Sequence, residues 1–156
     1  MPKHLKPVTI LMADDDPDDR QLTKDAFAES LLINDLKFVE DGVELLDYLN
    51  HRGKYTDPAT SPRPGLILLD LNMPRMDGRE ALEALKSDSR FRAIRVIVMT
   101  TSKAEEDILR SYQLSASSYI TKPITFDALV DVVKTLGKYW LEIVELPGDE
   151  EATHES

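Results

Sequence analysis

The chain contains no cysteine. That excludes a disulfide framework, a thiolate zinc centre and a cysteine nucleophile together, and it is compatible with a reducing compartment. Long apolar runs are also missing. Nothing approaches the run of about 18 apolar residues that a membrane-spanning helix needs. Met1 to Leu11 holds two prolines, two lysines and a histidine in place of the apolar stretch of a signal peptide. A cytoplasmic location is therefore expected. Positive charge is scarce: 19 Lys and Arg stand against 29 Asp and Glu, a formal net charge of −10. Docking on nucleic acid or an anionic membrane is not expected, since both need clustered basic residues. The three histidines, His4, His51 and His154, fall in a terminus, a loop and a tail, and no chemistry is assigned to them.

What is present is enough for one core. A chain of 156 residues with 42% hydrophobic content suits one domain and is short for two. The acidity gathers at Asp14 to Asp19 and in the tail Asp149 to Ser156, the latter expected to be a disordered, solubilising end.

Hydrophobic periodicity alternates between two signatures along the chain. Val8 to Ala13 and Leu66 to Leu69 are nearly unbroken apolar runs, as expected of strands buried on both faces of a parallel sheet. Val96 to Met99 is a third such run, while Leu36 with Phe38 and Tyr119 with Ile120 are shorter candidates. Between them lie helical patterns. Asp16-Pro17-Asp18-Asp19 has the form of an N-cap, a proline at the first helical position and acids in the first turn. Val43, Leu45, Leu46, Tyr48 and Leu49 recur at helical spacing, as do Ala81, Leu82 and Leu85, and then Ile108, Leu109 and Tyr112 within a helix expected over 104–114. A last helix is expected from about Phe126 to Leu146, with Leu129, Val133, Leu136, Trp140 and Ile143 on one face, ended by Pro147-Gly148. His51 to Pro64 carries three prolines and reads as a long surface loop. Five strands alternating with five helices predict a doubly wound α/β domain with right-handed crossovers.

In such a sheet ligands collect beyond the carboxyl ends of the strands. Asp14 and Asp15 follow the first strand, Asp70 ends the third, Thr100 the fourth, and Lys122 follows the fifth. Asp70 is the most telling, because a carboxylate at the end of an aliphatic strand is costly to bury without a partner. Three carboxylates sharing a site repel one another, and a hard cation relieves them. Mg²⁺ suits one or two carboxylates, a backbone carbonyl and a phosphoryl oxygen. Lys122 and Thr100 would then meet an incoming anion, with Thr101 as the competing hydroxyl. A calcium-binding EF-hand loop starting at Asp14 fails. It would contain Pro17, have Asp19 where glycine is required, and place Asp25 at its twelfth position instead of glutamate.

With these residues in these places, the chain resembles a response-regulator receiver domain over about residues 7–146, leaving 147–156 as the acidic tail. The resemblance implies a flavodoxin-like (βα)5 fold with strand order 2-1-3-4-5. It implies Asp70 as the phosphoacceptor, charged by the phosphohistidine of a sensor histidine kinase. Asp15 would bind Mg²⁺ directly, Asp14 largely through water, and the Asn72 main-chain carbonyl would supply a further ligand. Lys122 would pair with Asp70 or its phosphoryl group, across a cis Lys122-Pro123 bond. Thr100 would hydrogen-bond the phosphoryl group and Tyr119 would change rotamer with it. The proline-containing loop before Asp70, Thr100-Thr101-Ser102 followed by Glu106-Asp107-Ile108, Ser111-Tyr112, and Tyr139-Trp140 with Leu146-Pro147 are similar to the single-domain regulators that accompany cyanobacterial and bacterial phytochromes. Ser115, where glycine is common, and Tyr139, where phenylalanine is expected, depart from that pattern.

Two function classes compete on this sequence. The first is a switch that takes up a phosphoryl group and signals through partner binding, onward transfer or dimerisation; no DNA-binding, cyclase or phosphodiesterase pattern follows Leu146. A homodimer through Trp140, Ile143, Val144 and Leu146 belongs with it. The second is a metal-dependent phosphohydrolase of the haloacid-dehalogenase type. That chemistry wants an acid two residues after the nucleophile, where this chain has Asn72.

Overall fold

Strand residues alternate between two faces with period two, and here both faces are apolar. In the computed structural model, which describes residues 8–32, 34–101, 104 and 118–138, five parallel strands form one sheet: β1 (Ile10–Ala13), β2 (Leu36–Val39), β3 (Leu66–Asp70), β4 (Arg95–Thr100) and β5 (Ser118–Thr121), in the order β2-β1-β3-β4-β5. Four helices are described: α1 (Pro17–Glu29), α2 (Gly42–Leu49), α3 (Gly78–Lys86) and α4 (Phe126–Leu136). Apart from Ala104, the helix expected over 104–114 lies outside the described residues. So do Trp140, Ile143, Val144, Leu146 and the acidic tail.

The alternation divides the core in two. Leu11, Ala13, Ile67, Leu69, Val96 and Val98 pack with Leu45 and Tyr48 of α2 and Leu82 and Leu85 of α3. Ile10, Met12, Leu66, Leu68, Ile97 and Met99 pack on the other side with Ala26 and Phe27 of α1 and Val130, Val133 and Leu136 of α4. Each fully buried aliphatic side chain contributes about 1.5–3 kcal/mol, so the central strands fix the register: a slip of one residue would exchange the two faces.

Local chemistry starts the helices where the sequence says. The Asp16 carboxylate accepts from Asp18 N–H at 2.9 Å with Pro17 at the first helical position. Asp41 caps α2 through Glu44 N–H at 2.8 Å. Asp77 and Glu80 form a reciprocal capping box at α3, at 2.9 and 3.1 Å. The loop over 51–64 is more structured than its composition suggests. A short 3-10 helix, Gly53–Tyr55, sits inside it. Tyr48 Oη donates to Pro62 O at 2.8 Å, His51 Nε2 lies 3.0 Å from Ser61 O, and Tyr55 Oη donates to Glu44, so the loop is fastened to α2.

Candidate functional site

The same alternation that builds the core carries the site. Asp14 continues the set of Ile10 and Met12, Asp70 that of Leu66 and Leu68, and Lys122 that of Ile120, all on the face of α1 and α4. Extending the Ala13–Leu69 register by one residue sets Asp14 beside Asp70. Carboxylate oxygens of Asp14, Asp15 and Asp70 lie within 4.8 Å of one another, Asp14 and Asp70 buried and Asp15 exposed.

Lys122 Nζ sits among these acids, 3.3 Å from Asp14 Oδ2, 3.2 Å from Asp70 Oδ2 and 2.9 Å from Asp19 Oδ2. Its main chain is fixed as well, since Lys122 N–H donates to Thr100 O at 2.7 Å. The Lys122-Pro123 bond is trans, contrary to the cis form the family resemblance implied. Trans is the intrinsically favoured X–Pro isomer by about 0.5–1 kcal/mol, and from it the lysine already reaches three carboxylates. Asp19, which the sequence shows only as an acid in the first turn of α1, also reaches the lysine and adds a third carboxylate to it.

Electrostatics mark the cluster as charge-frustrated. Burial pushes the Asp14 carboxyl up to about 6; the Asp16 N–H opposes this, Asp70 adds to it, Lys122 opposes it and Asp19 adds again. Burial likewise raises Asp70, against the pull of Lys122 and of the Asn72 N–H, 3.3 Å from Asp70 Oδ1. For Lys122 burial acts downward, but the bond to Asp19 and the charges of Asp70 and Asp14 outweigh it and raise its pKa. Asp14 Oδ2 is buried and accepts no hydrogen bond, although Lys122 lies nearby. A buried carboxylate oxygen that accepts no hydrogen bond, among three clustered acids, fits a hard divalent cation with oxygen ligands. Arg20, unremarked in the sequence pattern, donates from Nη1 to the Asp14 main-chain carbonyl at 2.7 Å and so fixes the turn after β1.

Thr100 is fully buried at the end of β4. It shares its alternation with Val96 and Val98, the face covered by α2 and α3. Tyr119 is half-buried against that same cluster. Asn72 lies two residues past the end of β3, in the loop leading to α3. Gly78 closes that loop tightly: a Cβ there would stand 2.5 Å from Asp70 O and 2.7 Å from Leu71 Cα. Glycine is required by this close approach.

Fold and site together define a class: a doubly wound α/β domain with an acid cluster, a buried aspartate at a strand end and a lysine across from it. Residues 10–134 match the response regulator receiver domain family, and the chain belongs to it. The response regulator Rcp1 of Synechocystis sp. is 38% identical over 141 residues, which cover 90% of this chain and 94% of Rcp1. The crystal structure of the phosphorylated cyanobacterial phytochrome response regulator RcpA matches with a TM-score of 0.80 at 39% identity, over 91% of this chain and 99% of that one. The Mn²⁺-bound form of Rcp1 matches with a TM-score of 0.78 at 38% identity, over 90% and 99% of the two chains. The fold expected from the sequence, with strand order 2-1-3-4-5, is the fold observed.

Proposed function

We infer that Asp70 is the phosphoacceptor of this receiver domain. The observation that carries the reading is the convergence at one rim of buried Asp70 and Asp14, both within ion-pairing distance of Lys122, with exposed Asp15 completing the acid cluster. An Asp70 carboxylate oxygen attacks the phosphorus of a kinase phosphohistidine; the P–N bond breaks, and the imidazole leaves and takes a proton. Asp14, Asp15, Asp70 and the Asn72 main-chain carbonyl are the residues that would hold Mg²⁺, a role supported by the acid cluster and by the Mn²⁺ in Rcp1. The ion supplies positive charge against the phosphoryl oxygens. Lys122 Nζ leaves the shared carboxylates to pair with the phosphoryl group, and the Thr100 hydroxyl donates to it. Tyr119 then repacks and alters the surface around β4 and β5.

The protein is a signalling acceptor and not a turnover enzyme. Position 72 offers a main-chain N–H to Asp70 and no acid for a leaving group. Its donor is a sensor histidine kinase, and the likeness to the phytochrome response regulator RcpA favours a phytochrome. The receiver unit spans about residues 7–146, with 147–156 an acidic tail, and works in the cytoplasm. Among the described residues no helix is long and apolar enough to cross a membrane. Output is protein binding, onward transfer or a homodimer through the C-terminal helix; the −10 net charge supports a protein over a nucleic acid or membrane. Phosphotransfer profiling tests the reading. Among autophosphorylated sensor kinases, phytochromes included, one should transfer quickly to the wild type and not to Asp70→Asn; equal labelling of that variant would sink the assignment.

A further inference from the structure

The loop over residues 71–77, between Asp70 and the cap of α3, is fastened at both ends. Leu71 N–H donates to Met99 O at 3.0 Å, and Gly78 N–H donates to Leu71 O at 2.8 Å. Its middle is held differently. Arg75 adopts a φ of 64°, a left-handed conformation unfavourable for a residue with a side chain, which persists only where the surroundings enforce it. From that backbone its guanidinium makes a two-point bond with Asp41: Nε to Oδ2 at 2.8 Å and Nη2 to Oδ1 at 3.1 Å. Beside it Gly42 N–H donates to Met76 O at 3.0 Å, and a Cβ on Gly42 would stand 2.5 Å from that oxygen. Asp41 is itself anchored: its side chain is 9% exposed and it caps α2. The strained residue is thus clipped across 34 positions of sequence to a rigid helix start. A two-point guanidinium–carboxylate bond fixes direction as well as distance.

We propose that Arg75, through its paired bonds to Asp41, is a positioning residue for the divalent cation, setting the loop so that the Asn72 carbonyl is held in register with the Asp14, Asp15 and Asp70 carboxylates. This rests on the reading of Asn72 and the three acids as the cation site. Arg75 bonds to Asp41 and stands outside the ligand set; it would act through the main chain on a ligand three residues away. Releasing the clip leaves the acids in place and frees the carbonyl, so it weakens the cation without abolishing it.

The test is titration of the full chain with Mg²⁺ alone, by calorimetry and by amide NMR shifts, with urea unfolding run alongside. Arg75→Gly accepts the same φ without strain and removes the clip. Asp41→Asn keeps an oxygen to cap α2 and loses the charge pair. Each should weaken Mg²⁺ binding at least fivefold while the protein stays folded. The double variant should be no weaker than the weaker single variant, and Arg75→Lys should recover part of the loss. Asp15→Asn, as control, should lose binding. Wild-type affinity in Arg75→Gly beside lost binding in Asp15→Asn overturns the positioning role alone. Independent, multiplying effects of Arg75→Gly and Asp41→Asn overturn it too, because the two would not then act as one unit. Wild-type affinity in Asp15→Asn removes the cation site itself, and the proposal falls with it.

Discussion

Replacing Asp14 by asparagine should stabilise the protein when no divalent cation is bound. The folded state holds this carboxyl at about 6 against an ordinary 3.8, so its ionised form is disfavoured by folding. At about 1.4 kcal/mol for each pH unit between the two values, the cost at neutral pH is about 3 kcal/mol. Asp14 is buried, and local relaxation and water entry around it reduce this to about 2 kcal/mol. The sign follows from the direction of the shift. A raised carboxyl is protonated in both states only well below its ordinary 3.8, at about pH 3, and carries no penalty there, whereas above about pH 6 it is ionised and the whole penalty applies. Asparagine keeps the oxygen that accepts from Asp16 N–H at 2.9 Å and discards the charge. In EDTA at pH 7 thermal unfolding of Asp14→Asn should therefore come about 8 °C above wild type, at about 4 °C per kcal/mol for a domain of this size. The two should converge at about pH 3. Millimolar Mg²⁺ should raise the wild type and narrow the gap, since a ligand that binds only the folded state adds stability by mass action. A variant no more stable than wild type at pH 7, or a gain that persists undiminished at about pH 3, would refute the claim that repulsion and burial strain this cluster.

Other substitutions probe other parts of the account. Lys122→Ala removes a cation from two buried acids and should cost up to about 3 kcal/mol in urea unfolding without Mg²⁺, the lysine being partly exposed; an unchanged midpoint would contradict the geometry. Gly78→Ala should destabilise by about 1–3 kcal/mol, because its methyl meets the Asp70 carbonyl, even though alanine is the better helix former; a stabilised variant would show that no such contact exists. For Asp41 burial acts upward, but the Arg75 bonds and the Glu44 and Val43 N–H groups outweigh it and hold its carboxyl below the ordinary range. A depressed carboxyl gives stability that is present above its unfolded pKa and lost as pH falls through the folded value. Urea midpoints of wild type and Arg75→Ala should hence differ at pH 7 and draw together in acid, and a constant gap down to pH 2 would exclude this linkage.

Sequence periodicity made the central sheet legible because doubly buried strands are written as unbroken apolar runs, as Leu66 to Leu69 show. The acid cluster was legible for the same reason: parallel strands deliver their next residues to one rim, so Asp14, Asp70 and Lys122 could be brought together without coordinates. Capping chemistry is local, and Asp16 with Pro17 started α1 as written. Other contacts link residues far apart on elements whose facing cannot be read from one chain. Asp19 lies 103 positions from Lys122, and nothing in Asp-Asp distinguishes a solvated turn from an ion pair. Arg75 and Asp41 lie in two separate loops, and no local pattern marks an arginine that will adopt a left-handed φ. The prolines and small polar residues of 51–64 gave no sign that Tyr48, His51 and Tyr55 would fasten that loop to α2. The isomer of Lys122-Pro123 was not written locally either, because two forms so close in energy are selected by tertiary context.

The central claim is that Asp70 takes up a phosphoryl group with the help of a divalent cation held by its acidic neighbours. Intact-protein mass spectrometry after incubation with acetyl phosphate, with and without Mg²⁺, tests it most directly. The account predicts one added phosphoryl group on the wild type with Mg²⁺, none in EDTA, and none on Asp70→Asn under either condition. Phosphorylation of Asp70→Asn to the wild-type extent, or of the wild type equally in EDTA, would contradict it.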